Sequence, residues 1–252
     1  MPDNVLWAVD RGYANSAEAR AITLHAMLSG QTVRYTDSAG ERTLPLNTTV
    51  VPVGSVEYVR RVAKDLFGAH PPEIPDYPQP LRRFLGREVR RMAIKDAPDG
   101  AFVKPVSAKR FDVIRSFDHR NPPDVPPDTE CWVCEPVRFR EEYRIYVLDH
   151  EAIGIAQYDL YSRDHDLSPE DLDRIAGMIT LWDEQPAAWA LDVGFVSGGD
   201  DLLLVETNDG WATGYYPAAM PPGAYAEWLL ARWREISLDA RRVRAGSSPR
   251  VA

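Results

Sequence analysis

Ala190-Leu-Asp-Val-Gly-Phe-Val-Ser-Gly-Gly-Asp-Asp-Leu-Leu-Leu-Val-Glu-Thr-Asn208 carries two apolar runs around a turn of Ser197, Gly198, Gly199, Asp200 and Asp201. Apolar runs separated by a glycine-containing turn read as a β-hairpin. If it is symmetric about Gly199, Val196 pairs with Leu202, Gly194 with Leu204 and Asp192 with Glu206. Side chains alternate between faces along a strand, so Asn208 shares the face of Glu206. Three oxygen-bearing side chains then converge. Like charges directly opposite one another destabilise a sheet, and Asp is a poor strand residue, so something must offset the cost. A divalent cation does so: Mg²⁺ is held by one or two carboxylates together with substrate phosphates, which makes a nucleotide its natural companion. The bland alternative is a different register with Asp192 in solvent, because a glycine-rich turn specifies pairing weakly.

The chain around this hairpin has 252 residues, enough for one large or two small domains. Its 38 acidic against 29 basic side chains give a formal charge of −9, which argues against a nucleic-acid partner. No apolar run approaches the ~20 residues of a membrane helix, and Met1 to Asp10 lacks a basic segment followed by a long apolar one. A cytoplasmic protein without membrane partners is the expectation. Cys131 and Cys134 are the only cysteines. They lie in an expected strand, where residues three apart face opposite ways, and two thiols fall short of a closed zinc site, so core packing is the reading. The histidines at 25, 70, 119, 150 and 165 show no ligand or triad spacing.

Val5–Val9, Thr32–Thr36 and Thr49–Val53 read as strands. Helices start at Asn15-Ser-Ala-Glu18 and at Gly54-Ser55 and stop at Gly30 and Gly68. This alternation predicts a small α/β domain over 1–75, with a partly parallel sheet. Five prolines between Pro71 and Pro80 mark a linker. Beyond it the pattern predicts a helix over Leu81–Arg91, strands at Ala101–Pro105, Phe111–Arg115, Cys131–Cys134, Glu141–Val147 and Ala152–Ala156, a helix capped by Ser168, the hairpin, and a last helix over Gly223–Ile236. A second domain then spans 81–238, and 239–252 is a flexible tail.

Phe102-Val-Lys-Pro105, Glu135-Pro-Val137 leading into Glu142-Tyr-Arg144, Leu191-Asp192 and Val205-Glu-Thr-Asn208, in that order, resemble the ATP-grasp superfamily over about residues 81–236. The resemblance implies two α+β subdomains sandwiching ATP, preceded by the small α/β domain, which it makes Rossmann-like. It implies that Lys104 and Arg144 meet phosphate or the transferred phosphoryl group, that the backbone of Glu135, Pro136 and Val137 reads adenine, and that Glu141 or Glu142 takes the ribose hydroxyls. Asp192, Glu206 and Asn208 would hold Mg²⁺. Each has a structural alternative: a solvated lysine, a paired arginine, a surface acid. Two departures stand out. The glycine-rich phosphate loop is replaced by Ser107-Ala108-Lys109, where Lys109 would supply the charge, and Ala190 stands where many members carry a substrate-gripping arginine. Lys95 is a weaker match to the family's earlier nucleotide lysine.

The activity implied is an ATP- and Mg²⁺-dependent carboxylate-amine ligase working through an acyl phosphate and releasing ADP, with small-molecule or peptide carboxylate and amine substrates. The alternatives are a phosphotransferase on the same fold and a nucleotide-binding module without turnover. Gly210-Trp-Ala-Thr-Gly-Tyr-Tyr216, after the metal strand, lines the acceptor pocket in this reading or else belongs to the core. Oligomeric state and substrate identity are left open.

Overall fold

The computed structural model describes residues 4–37, 48–107, 110–158, 167–211 and 213–244. The N-terminal third is built as the alternation predicts: β1 (Val5–Asp10), α1 (Ala17–Ser29), β2 (Thr32–Thr36), β3 (Thr49–Val53) and α2 (Val56–Phe67). Its sheet has the order β2-β1-β3 and is parallel throughout. Ser16 and Ser55 cap the helix starts by accepting from backbone N–H groups three residues on, and Gly30 and Gly68 end the helices at φ of 69° and 74°. Side-chain oxygens satisfy donors that the first turn leaves unpaired, and only glycine adopts the left-handed exit at no steric cost.

Two antiparallel sheets follow. β4 (Arg90–Ala93), β5 (Phe102–Pro105) and β6 (Glu130–Cys134) form a small sheet in the order β4-β6-β5. The larger sheet, β10-β9-β7-β8, contains β7 (Phe139–Leu148), β8 (Glu151–Gln157), β9 (Ala188–Val196) and β10 (Leu202–Asp209). Between β8 and β9 lies α3 (Pro169–Leu181), which Ser168 and Asp171 close with a reciprocal capping box. Tyr143, Ile145, Leu191, Val193 and Leu204 turn one face of the larger sheet into a core with Ile175, Met178 and Ile179 of α3. The last helix, α4 (Pro222–Arg244), packs elsewhere: Trp228 and Trp233 share a core with Trp7, Ile22, Val59 and Val62 of the N-terminal unit and with Tyr146 and Ala190 of the larger sheet.

Four expectations are corrected. The helix over Leu81–Arg91 is a short 3₁₀ turn at Gln79–Phe84 followed by β4. Phe111–Arg115 is not a strand; it contributes one bridge, Ile114 to Val103. α4 runs to Arg244, past Ile236 and into the stretch from 239 expected to be a flexible tail. The proline-rich segment is no free linker. Thr207 N donates to the Asp76 carbonyl (2.9 Å), Thr207 Oγ1 to that of Pro75 (2.7 Å) and Trp211 Nε1 to that of Pro72 (2.9 Å), so the segment is strapped along β10, an edge strand.

Candidate active site

Glu206 stands opposite Asp192, as the symmetric hairpin predicts, but by another route. Near the turn the pairing is Leu202 with Phe195, Leu203 with Gly194 and Leu204 with Val193, one residue out of the predicted register. A bulge at Val205 absorbs the offset and restores Glu206 opposite Asp192 and Asn208 opposite Ala190. The bulge also changes the phase of alternation. Leu202 and Leu204 face the core, whereas Glu206 and Asn208 face the other side with Asp192, which a regular strand could not do at even spacing. Arg87 secures it, donating from Nη1 to the Leu204 carbonyl (2.9 Å) and from Nη2 to that of Val205 (3.1 Å).

On that face four strands bring charged groups together. Arg144 on β7 grips Asp192 on β9 through two parallel bonds, Nε to Oδ1 at 2.8 Å and Nη2 to Oδ2 at 2.6 Å. Asn208 Nδ2 donates to Asp192 Oδ2 (2.9 Å) and to Glu206 Oε1 (3.2 Å). From β5 in the small sheet, Lys104 donates to Glu206 and lies 3.1 Å from Oδ2 of Asp76, an atom sealed from solvent that makes no aligned hydrogen bond. Asp76 was missed in the sequence because a linker reading places it in solvent; only the strap's main-chain bonds bring it here.

The cluster sets its own titration. Burial pushes the Asp192 carboxyl up to about 6 against the pull of Arg144, and burial likewise lifts Asp76 to about 6 with Lys104 opposing. Glu206 goes the other way: burial works upward, but Lys104, then Asn208, hold it below the ordinary value. Burial disfavours the Lys104 ammonium, yet Glu206 and Asp76 raise it above an ordinary lysine. Both cations therefore stay charged at neutral pH.

Aromatic rings wall the cluster. Tyr158 and Tyr216 stack at 5.9 Å, and the Arg144 guanidinium lies 5.4 and 5.7 Å from their centroids. Tyr146 ties down the loop carrying Tyr216, donating to the Gly214 carbonyl (2.6 Å) and accepting from Tyr216 N (3.1 Å). Among the described residues no acceptor engages Arg144 Nη1, which leaves one donor of the fork open to a ligand.

The other expected residues are distributed as follows. Glu142 projects on the same face as Arg144, and its Oε2 accepts from Tyr158 Oη at 2.5 Å; Glu141 is buried and accepts from Tyr143 Oη at 3.0 Å. Arg144, read from sequence as a phosphate ligand, is already paired with Asp192. Glu135 and Pro136 line a cleft of about 510 Å³ with Arg90, Met92 and Val133, on the face of the small sheet opposite Lys104; Val137 is half-buried beside it in the chain. Lys109 lies outside the described residues. Lys95 sits away from the cluster, paired with Asp128 at the surface. Cys131 and Cys134 face opposite cores, as expected, and are free.

The donor set suits a hard divalent cation. Two carboxylates converge on one amide, each within hydrogen-bond distance of it, and the amide can turn its oxygen inward. Among the described residues no group of three His, Cys, Asp or Glu forms a metal site, so water and substrate oxygens would complete the coordination.

The model of an ATP-grasp domain family, the second family of its clade, matches residues 84–227. Among solved structures, the chain is similar to the ATP-grasp ligase PsnB complexed with minimal precursor, at 12% identity and a TM-score of 0.51 over 92% of this chain and 99% of that one. It is similar to D-alanine–D-alanine ligase from Bacillus anthracis complexed with ATP, at 13% identity and 0.52 over 96% and 99%. A third is N5-carboxyaminoimidazole synthase from Aspergillus clavatus, at 10% identity and 0.56 over 90% and 77%. At such identities the likeness is one of fold. A search of curated proteins finds no match.

Proposed function

This chain belongs to the ATP-grasp domain family whose model spans residues 84–227, and on that premise we propose that it is an ATP- and Mg²⁺-dependent carboxylate-amine ligase. The observation that carries the reading is the convergence of Lys104, Arg144, Asp192, Glu206 and Asn208, from β5, β7, β9 and β10, on one side of the larger sheet. Phosphoryl transfer depends on positioning and charge neutralisation rather than on a protein nucleophile, and this set supplies both.

In this reading Lys104 and the open Nη1 of Arg144 donate to phosphate oxygens. Asp192, Glu206 and Asn208 hold Mg²⁺, which neutralises phosphate charge when bound. Glu142 takes the ribose hydroxyls, and the backbone of Glu135, Pro136 and Val137 takes the adenine edge. A substrate carboxylate oxygen attacks the γ-phosphorus and ADP leaves; an amine nitrogen then attacks the acyl carbon, inorganic phosphate leaves and the amine gives up its proton. Support for an amino-acid or peptide substrate comes from two of the similar folds, one complexed with a precursor and one a D-alanine–D-alanine ligase. Ala190 faces the cluster beside Asp192 without a cation, so the acceptor carboxylate must be held elsewhere.

Hydroxylamine tests the proposal, because it intercepts an acyl phosphate but not a phosphate ester. Amino acids and short peptides are first screened for acid-dependent ADP release that disappears in Asp192→Asn. With the correct acid, hydroxamate should then form in step with ADP, and oxygen-18 from the carboxylate should enter the released phosphate. ADP formed alongside a stable phosphorylated product, with neither signal, would replace the ligase by a phosphotransferase.

A further inference from the structure

We infer that Asp76 is a positioning residue for Lys104, holding the ammonium at the phosphate end of the site when the proposed metal draws on Glu206; the inference rests on the ATP-site reading above. Lys104 is a compact charge on a flexible four-carbon stem, so its position is set by what it binds. Two carboxylates share it: Glu206, itself a proposed metal ligand, and Asp76, at 3.1 Å. With Glu206 as sole partner, a cation at Glu206 would displace the ammonium by like-charge repulsion. Asp76 supplies a second anchor for it.

The strap is built to hold that anchor still. Its hold on β10 comes from the main-chain carbonyls of Pro72, Pro75 and Asp76, so the Asp76 side chain is left over for Lys104. Tyr77, the next residue, is buried edge-on against Trp132 (5.2 Å), and its ring lies 6.0 Å from Lys104 Nζ. Trp132 is the cross-strand partner of Lys104, so the strap braces the strand as well as the ammonium. Among the described residues, Asp76, Asp192 and Glu206 do not form a three-carboxylate metal group. The other nearby acid on the strap, Glu73, is engaged by Arg60.

Calorimetric titration of a non-hydrolysable ATP analogue with Mg²⁺, and of AMP, into the full chain and its Asp76→Ala, Asp76→Asn, Asp76→Glu, Lys104→Ala and doubly substituted Asp76→Ala/Lys104→Ala forms decides the matter. Asp76→Ala and Asp76→Asn should weaken the triphosphate about tenfold and leave AMP unchanged, with partial recovery in Asp76→Glu. The double variant should bind no worse than Lys104→Ala, since Asp76 acts through Lys104. Thermal melting should stay close to wild type, because the main-chain bonds of the strap remain. Unchanged or tighter triphosphate binding in the Asp76 variants, or additive losses in the double variant, would overturn the inference; tighter binding would make the strap an inhibitor instead. A wild type that does not prefer the triphosphate, or a Lys104→Ala variant that binds it normally, would instead remove the ATP-site reading and the inference with it.

Discussion

At the scale of the residue, the Arg144–Asp192 pair separates stability from chemistry. Arg144 is 13% exposed and Asp192 is 1% exposed, so each charge has little water and depends on the other. Removing one partner of a buried pair leaves an uncompensated charge and costs about 3 kcal/mol, whereas replacing both by apolar groups can be neutral. Asp192→Ala is therefore expected to lose about that much stability in chemical denaturation. Asp192→Ala combined with Arg144→Met should regain most of it, yet neither form should release ADP. Equal destabilisation in both would mean that the pair is not what holds these strands.

At the scale of the element, the site depends on how closely β7 and β9 approach. Gly194 pairs with Glu142, and a Cβ there would lie 2.6 Å from the Glu141 carbonyl oxygen and 2.9 Å from the Phe139 ring. The first contact is backbone and cannot swing away, so Gly194→Ala should cost about 1 to 3 kcal/mol and loosen the Arg144–Asp192 register two residues on. Urea denaturation checks the first effect, and amide exchange along β7 and β9 the second. The elements also show where local signals mislead. Leu81, Leu85 and Val89 recur at four-residue spacing and read as one face of a helix, and all three are indeed buried. Gly86 breaks the run: its φ of +61° takes the chain out of the helix, and Leu203 Cδ1 packs 2.5 Å from where a Cβ would lie. Helical spacing recorded burial correctly and backbone path wrongly.

At the scale of the molecule, the N-terminal unit does not close its own core. Trp7, Ile22, Val59 and Val62 are sealed by Trp228, Trp233 and Ile236 of α4, which arrive about 170 to 230 residues later in the chain. Residues 1–75 expressed alone should therefore show no cooperative melting by circular dichroism, while the full chain does. An independently melting fragment would show that the α4 contact is dispensable. No helix among the described residues is long and apolar enough to cross a membrane.

Much of this was decided locally. Serine caps, glycine stops and β-branched runs specify the N-terminal strands and helices to within a residue, because those signals act through hydrogen bonds and φ angles of neighbouring residues. The pairing of Glu206 with Asp192 was legible in its outcome only: the symmetric register was one residue out near the turn, and the Val205 bulge restored Glu206 opposite Asp192 and Asn208 opposite Ala190. The partners of these side chains were not legible. That Arg144 binds Asp192, that Lys104 reaches across from another sheet, that Arg87 pins the Val205 bulge and that a proline-rich segment carries Asp76 into the cluster all rest on contacts between residues 48 to 132 positions apart. Tertiary packing alone selects these, because a charged side chain has no intrinsic preference for one distant opposite charge over another; only the buried geometry of the two sheets and the strap determines which one it meets.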